Sequence, residues 1–141
     1  MSKEPNPPAS SVPKPMGKYP TYRRVGNLLF MSGQGARDPE TNKVPGLEID
    51  AGGNVVSYDI EAQCHSVFRN VRNVLEEAGS RWENIVDVVV YLTDLERDFT
   101  TYNRVYAEYF PENPPCRTTI GVDNLPSQTR IELKVIATID E

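Results

Sequence analysis

The apolar and polar positions along the chain predict two helices set among strands. Ile60, Cys64, Val67, Val71, Val74 and Ala78 recur at steps of three and four, which puts them on one face of a helix running from about Asp59 to Ala78. Asp59 is a good N-cap, Glu61 suits the positive end of the helix dipole, and Gly79 follows as the residue that ends the helix. Arg69, Arg72, Asn73, Glu76 and Glu77 take the other face, so this helix covers a sheet on one side only. A second helix is predicted from about Asp98 to Phe110, with Phe99, Tyr102, Val105, Tyr106 and Tyr109 as its apolar face and Pro111 and Pro114-Pro115 ending it. Tyr22–Val25 and Leu28–Met31 flank Gly26-Asn27, a two-residue hairpin turn signal. Val55-Val56 is a short strand candidate, and the β-branched run IVDVVVYL at Ile85–Leu92 reads as a buried strand. Along Arg130–Ile139, Ile131, Leu133, Val135, Ala137 and Ile139 face one way, and Glu132, Lys134, Ile136 and Thr138 the other. Thr118–Val122, joined to that strand by Asp123–Thr129, is a candidate to pair with it as a hairpin. The order of elements predicts an α+β domain, one mixed sheet with both helices on one face.

Composition narrows the picture. The 141 residues suit one domain, and 38% hydrophobic with 25% charged residues fits a globular chain. Residues 1 to 16, rich in Pro, Ser and Lys, are expected to form a flexible arm, with a single domain over 17–141. No apolar run approaches the about 20 residues a membrane helix needs, and no signal-peptide pattern opens the chain, so the expected location is the cytosol. A net charge of −5, with no basic cluster beyond the short Tyr22–Arg24 stretch, argues against nucleic acid as a partner. Two cysteines without CxxC spacing and one histidine are too few for a structural metal site. Cys64 reads as a small core residue and His65 as a surface one.

Several residue types can carry chemistry. Pro114-Pro115 stiffens the backbone just before Arg117, whose planar fork would match a carboxylate, although a surface ion pair is the commoner role for such an arginine. Glu132 sits on the polar side of an alternating strand, where a carboxylate can hold a water or move a proton or simply face solvent. Tyr19, Tyr102 and Asn103 are further candidates, with Tyr102 more often core. Asp87, inside an apolar strand, needs partners or solvent. Phosphate loops, nucleophile elbows, HExxH and dinucleotide fingerprints are absent from the sequence.

Taken in order, several segments resemble the Rid/YjgF (reactive intermediate deaminase) family. They are Gly17-Lys18-Tyr19-Pro20, Val25–Gln34, Asp38-Pro39-Glu40-Thr41, Asp59–Gln63, Val74–Gly79, Val90–Asp94, Tyr102–Phe110, Pro114–Thr119, Leu125-Pro126 and Ile131–Ala137. The resemblance spans about residues 17 to 139. It implies a chorismate-mutase-like α+β fold assembled as a homotrimer, with cofactor-free sites at the subunit interfaces that hydrolyse an enamine or imine to a carbonyl compound and ammonia. Arg117 matches the arginine that grips the substrate carboxylate, and Glu132 the glutamate that positions the attacking water. Tyr19, Asn103 and Ser32-Gly33 match residues lining the cleft, and Thr119 is carried with them as substrate-binding. Lys18, Cys116 and Thr119 depart from the commonest family residues.

Within the family, Gly17-Lys18-Tyr19-Pro20 with Arg23-Arg24, a long Lys43–Ser57 loop, and Glu48-Ile49-Asp50 before Gly52-Gly53 and Asp59-Ile60 resemble the 2-aminomuconate deaminase branch. That implies a substrate with a second carboxylate, for which Arg23, Arg24 and Arg37 are candidates. The alternatives are a general deaminase of small 2-imino acids and a non-catalytic small-molecule-binding trimer on the same fold.

Overall fold

The Gly26-Asn27 turn closes a hairpin whose register runs from Tyr22 opposite Met31 to Val25 opposite Leu28, with Gly26 at the positive φ (62°) that this turn demands. The structure is a computed structural model that describes residues 12–140. It contains, in chain order, β1 (Tyr22–Val25), β2 (Leu28–Met31), β3 (Gln34–Gly35), β4 (Glu48–Ile49), β5 (Val55–Ser57), α1 (Ile60–Glu77), β6 (Ile85–Leu92), α2 (Leu95–Tyr109), β7 (Cys116–Gly121) and β8 (Ile131–Thr138). The main sheet has the order β1-β2-β8-β6-β7, with β3 added to the end of β8, while β4 and β5 form a separate small hairpin. Only β6 and β7 run parallel, so the sheet is mixed, and both helices pack on one face.

Helix α1 begins where the Asp59 carboxylate accepts the Ala62 amide at 3.1 Å, and it ends before Gly79 at φ 83°. Its Cys64, Val67, Phe68, Val71, Val74 and Leu75 are fully buried against Leu29, Val88, Leu133 and Val135 of the sheet. Each such Leu or Phe contributes about 1.5–3 kcal/mol by leaving water. Burial also pushes the Cys64 thiol up to about 12, as befits a core residue. Helix α2 starts earlier than the sequence pattern predicts. The Asp94 side chain accepts the Arg97 amide at 3.0 Å, and the exposed Leu95 opens the first turn, where an apolar stripe gives no sign of it.

The expected hairpin between β7 and β8 does not form. β6 lies between them, parallel to β7 and antiparallel to β8. The chain passes from β6 through α2 to β7, a crossover that lays β7 parallel at the sheet edge. The long alternating strand β8, with one side wholly buried, takes the central place between β2 and β6.

Three uncharged polar residues of α1 tie neighbouring backbone to the helix, two of them at the end of β3 and one at the entry to β8. Ser66 Oγ donates to the Ala36 carbonyl at 2.7 Å, and Asn70 Nδ2 donates to the carbonyls of Gly35 and Arg37 at 2.9 and 2.8 Å. Gln63 accepts the Arg130 amide at 2.8 Å, which fixes the entry to β8. All three are buried, so their bonds fix the backbone leading to Arg37 and Glu132.

Candidate functional site

Sheet pairing decides which candidate side chains can meet. Residues paired across neighbouring strands point to the same face. Glu132 pairs with Tyr91 on the open face of the sheet, whereas Arg117 and Thr119 pair with the buried Val88 and Val90 on the helix-covered face. Within one chain the two halves of the predicted site are therefore separated by the sheet.

The Glu132 half is a cavity of about 350 Å³ that also involves Tyr19, Ser32, Gly33, Arg37 and Lys134. β8 supplies Glu132 and Lys134, the turn between β2 and β3 supplies Ser32 and Gly33, and the loop before β1 supplies Tyr19. Ser32 Oγ donates to the Pro20 carbonyl at 2.7 Å, and the Ser32 amide donates to that of Thr21 at 2.9 Å, so the Tyr19 loop is tied to the end of β2. Tyr19 is 46% exposed, and its hydroxyl accepts the Met16 amide at 3.1 Å. Gly33 has to be small. A Cβ there would overlap Glu132 Oε2 and stand 3.0 Å from its Cδ. Burial pushes the Glu132 carboxyl above the usual glutamate range, and the charge of Lys134 draws it part of the way back. Lys134 is itself held by a 2.6 Å bond from Nζ to the Met31 carbonyl.

The roof of this cavity includes Pro13 to Met16 and the Pro126–Thr129 turn. Residues 1–11 of the expected arm lie outside the described residues. Val12 packs against the core, and Arg37 donates through Nη2 to the Lys14 carbonyl at 2.6 Å. Ser127 (φ 64°) and Gln128 (φ 60°) both take left-handed backbone in the turn, a strained arrangement that for non-glycine residues is concentrated at ligand-facing loops.

The Arg117 half lies beneath α2. The Arg117 guanidinium sits over the rings of Tyr106 and Tyr102, 4.7 and 5.3 Å from their centroids. The Thr119 hydroxyl is bonded at 2.8 Å to that of the fully buried Tyr102, so here it serves the core. Asn103 is on the exposed side of α2, one residue from Tyr102. Asp87 lies half-buried on the open face rather than in the core, which answers the question its place in an apolar strand raises. Of the candidates for a second carboxylate, Arg37 reaches the Glu132 cavity. Arg23 and Arg24 sit on the exposed strand β1, where Arg24 Nε donates to the Gly26 carbonyl at 2.7 Å.

Sequence reading missed Lys134, Ser127 and residues 13–16 as cavity residues. Lys134 shares a strand face with Glu132, so the alternation held its signal. Nothing local in the sequence places residues 13–16 against β8.

Comparison with known proteins shows the family and the fold. The model of the family described as Endoribonuclease L-PSP matches residues 9–139. A RutC family protein of Pyrococcus abyssi is 42% identical over 126 residues, covering 89% of this chain and 90% of the relative. The chloroplastic Reactive Intermediate Deaminase A of Arabidopsis thaliana is 35% identical over 91% of this chain and 62% of the relative. Among solved structures, the YjgF gene product of E. coli superposes with a TM-score of 0.78 at 30% identity, covering 92% of this chain and 94% of that one. RidA from an Antarctic Psychrobacter superposes at 0.79 with 29% identity, covering 96% and 100%.

Proposed function

The chain belongs to the Endoribonuclease L-PSP family, the Rid/YjgF family of its motifs, and from that premise we propose that it is a hydrolytic deaminase of 2-imino acids whose sites form between copies of the chain. The observation that carries this reading is the Glu132 carboxylate, desolvated in a cavity beside Ser32, Gly33 and Tyr19. Its raised pKa brings it nearer the range in which a base both exists ionised and accepts a proton readily.

The chemistry follows from the residues. The enamine form of the substrate protonates at carbon to give the imine. Glu132 takes a proton from a water as the water oxygen bonds to the imine carbon. That proton goes on to nitrogen and gives a carbinolamine; the hydroxyl proton then moves to the same nitrogen as the C–N bond breaks and the oxygen becomes the carbonyl, leaving ammonia and a 2-oxo acid. Proton transfer by a positioned carboxylate is worth about 10²–10⁴-fold. Arg117 binds the carboxylate next to the imine carbon through two parallel bonds. It does so from a neighbouring copy, because its own Glu132 is on the far side of the sheet. The open face favours such an assembly. Leu28, Phe30 and Ile120 are each 37–41% exposed there, beside Val89, Tyr91 and Ile136, and an apolar patch of this kind marks a protein contact. A homotrimer closes the face by rotational symmetry.

The substrate we favour is 2-aminomuconate, handled in the cytosol. A second cavity of about 610 Å³ adjoins the first across Lys14 to Met16 and Arg37, and its wall includes Lys43, Val44, Leu47 and Ile49 of the long loop. That space suits a substrate longer than a three- or four-carbon imine.

The test mixes two inactive variants. Arg117→Ala and Glu132→Gln are each assayed for ammonia release from an imine generated in place, then denatured together and refolded. Sites that draw Arg117 from one copy and Glu132 from another recover, roughly a quarter of them by random assortment. No recovery from the mixture, with each variant folded, would place both residues in one chain's site and refute the interface reading. Wild-type protein inert on 2-aminomuconate and on small imines alike, or one that instead cleaves RNA, would refute the deaminase reading.

A further inference from the structure

We propose that Lys134 and Arg37 form a receptor for the second carboxylate of the substrate and make this chain selective for dicarboxylate imines. The inference rests on the deaminase reading for its reaction, but it stands on charge and geometry of its own. The ionisable groups lining the Glu132 cavity include three cations, Lys14, Arg37 and Lys134, against one carboxylate, in a chain whose net charge is −5. Such a concentration of positive charge in a concave site on an acidic protein selects anions. A monocarboxylate imine needs one cation, and Arg117 of the neighbouring copy supplies it. A dicarboxylate brings one more negative charge than Arg117 neutralises, and Glu132 adds another. Lys134 and Arg37 match those two.

Both side chains are held in place before any ligand arrives. Lys134 follows Glu132 by two residues on the same strand face, so the two sit about 7 Å apart along β8. Its Nζ is fixed by the bond to the Met31 carbonyl, which leaves further donors of the ammonium for a ligand. Arg37 is held on two sides, by Nη1 to Asn42 Oδ1 at 2.5 Å and Nη2 to the Lys14 carbonyl at 2.6 Å. Its fork carries more donors than these bonds use. The Arg37 carbonyl is in turn anchored by the buried Asn70. Arg37 also stands on the wall shared by the two cavities, where the far end of a conjugated chain leaving the imine carbon beside Glu132 would arrive.

The test uses two stable probes that need no turnover. Muconate and sorbate have the same six-carbon diene and differ in carrying two carboxylates or one. Calorimetric titration of the wild-type assembly should show muconate bound about tenfold or more tightly than sorbate, with a preference that shrinks as salt is added. In Lys134→Gln and in Arg37→Gln, the muconate-to-sorbate ratio should fall about tenfold, and Lys134→Arg should restore most of it. A role confined to holding the Met31 or Lys14 carbonyl would weaken both probes alike and leave the ratio unchanged. An unchanged ratio, equal wild-type affinities, or no binding of either probe would overturn the proposal. Failure of the deaminase reading shows separately, as an absence of ammonia release by wild-type protein that still prefers muconate.

Discussion

Gly33→Ala separates the catalytic geometry from the fold more cleanly than removal of Glu132 itself. Gly33 is not among the glycines at positive φ, so alanine suits its backbone. What an added methyl meets is the Glu132 carboxylate, overlapping Oε2, with Cδ at 3.0 Å and Cγ at 3.4 Å. Comfortable separations between non-bonded carbons are about 3.5–4.0 Å, so the carboxylate has to move by about 1 Å. It can do so by rotating about its own side chain, since the close atoms are the free end of a flexible residue. Loss of glycine freedom in the unfolded chain adds about 0.4–1 kcal/mol of stability, which offsets the displaced contact. The variant should melt within a few degrees of wild type. A 1 Å misplacement of a reacting group costs about 10²-fold, so kcat should fall by about that factor while KM changes little. The assay is ammonia release from an imine generated in place, alongside a thermal melt. Because the methyl acts through Glu132, the double variant Gly33→Ala/Glu132→Gln should be no slower than Glu132→Gln alone. Wild-type turnover by Gly33→Ala would refute the assignment of this Glu132 position as the working one. Collapse of the melt would show a carboxylate too rigidly held for the displacement argued here.

Two further predictions concern stability. The folded protein raises the Glu132 pKa, so it binds that proton more readily than the unfolded chain does, and the stability this group lends is greatest at low pH and is lost as pH rises through the raised value. Glu132→Gln removes the half-buried charge, and at neutral pH it should melt higher than wild type, on the order of 2 °C, with the gap closing below about pH 4. An equal or lower melt at pH 7 would contradict the desolvated carboxylate. Thr119→Val leaves the hydroxyl of fully buried Tyr102 without its 2.8 Å partner, at a cost of about 1–3 kcal/mol. Denaturant unfolding should register that loss, and an unchanged midpoint would free Thr119 for a role toward substrate.

Much of the fold was legible because its determinants are local. The stripe and caps of α1, the Gly26-Asn27 turn and the alternation of β8 each act within a few residues, and each appears in the structure within a residue or so of its expected bounds. The strand order was not legible in the same way. β7 and β8 are neighbours in sequence but not in the sheet, since pairing is set by which strand most needs burial on its apolar side. That misplacement had a direct consequence for the site. The register through β6 sets Arg117 level with Val88 and Val135, and Glu132 level with Tyr91, on the opposite face of the sheet. The residue types were readable, and the distance between them was not.

The polar residues of α1 show what kind of signal was available but unread. Gln63, Ser66 and Asn70 recur at steps of three and four beside the apolar stripe, whereas the solvent face of the same helix is rich in charged Arg69, Arg72, Glu76 and Glu77. An exposed helix face tolerates charge at every turn, and a buried one tolerates only polar groups that neutral partners can satisfy. A periodic run of uncharged polar residues flanking an apolar stripe therefore marks a face that grips backbone. Here the backbone it grips leads to Arg37 and to the start of β8, which carries Glu132 and Lys134. The three side chains touch no proposed substrate, yet they set where the cavity's cation and carboxylate stand. This is why the long helix, which contributes no candidate catalytic group, is still the element that fixes the geometry of the Glu132 half.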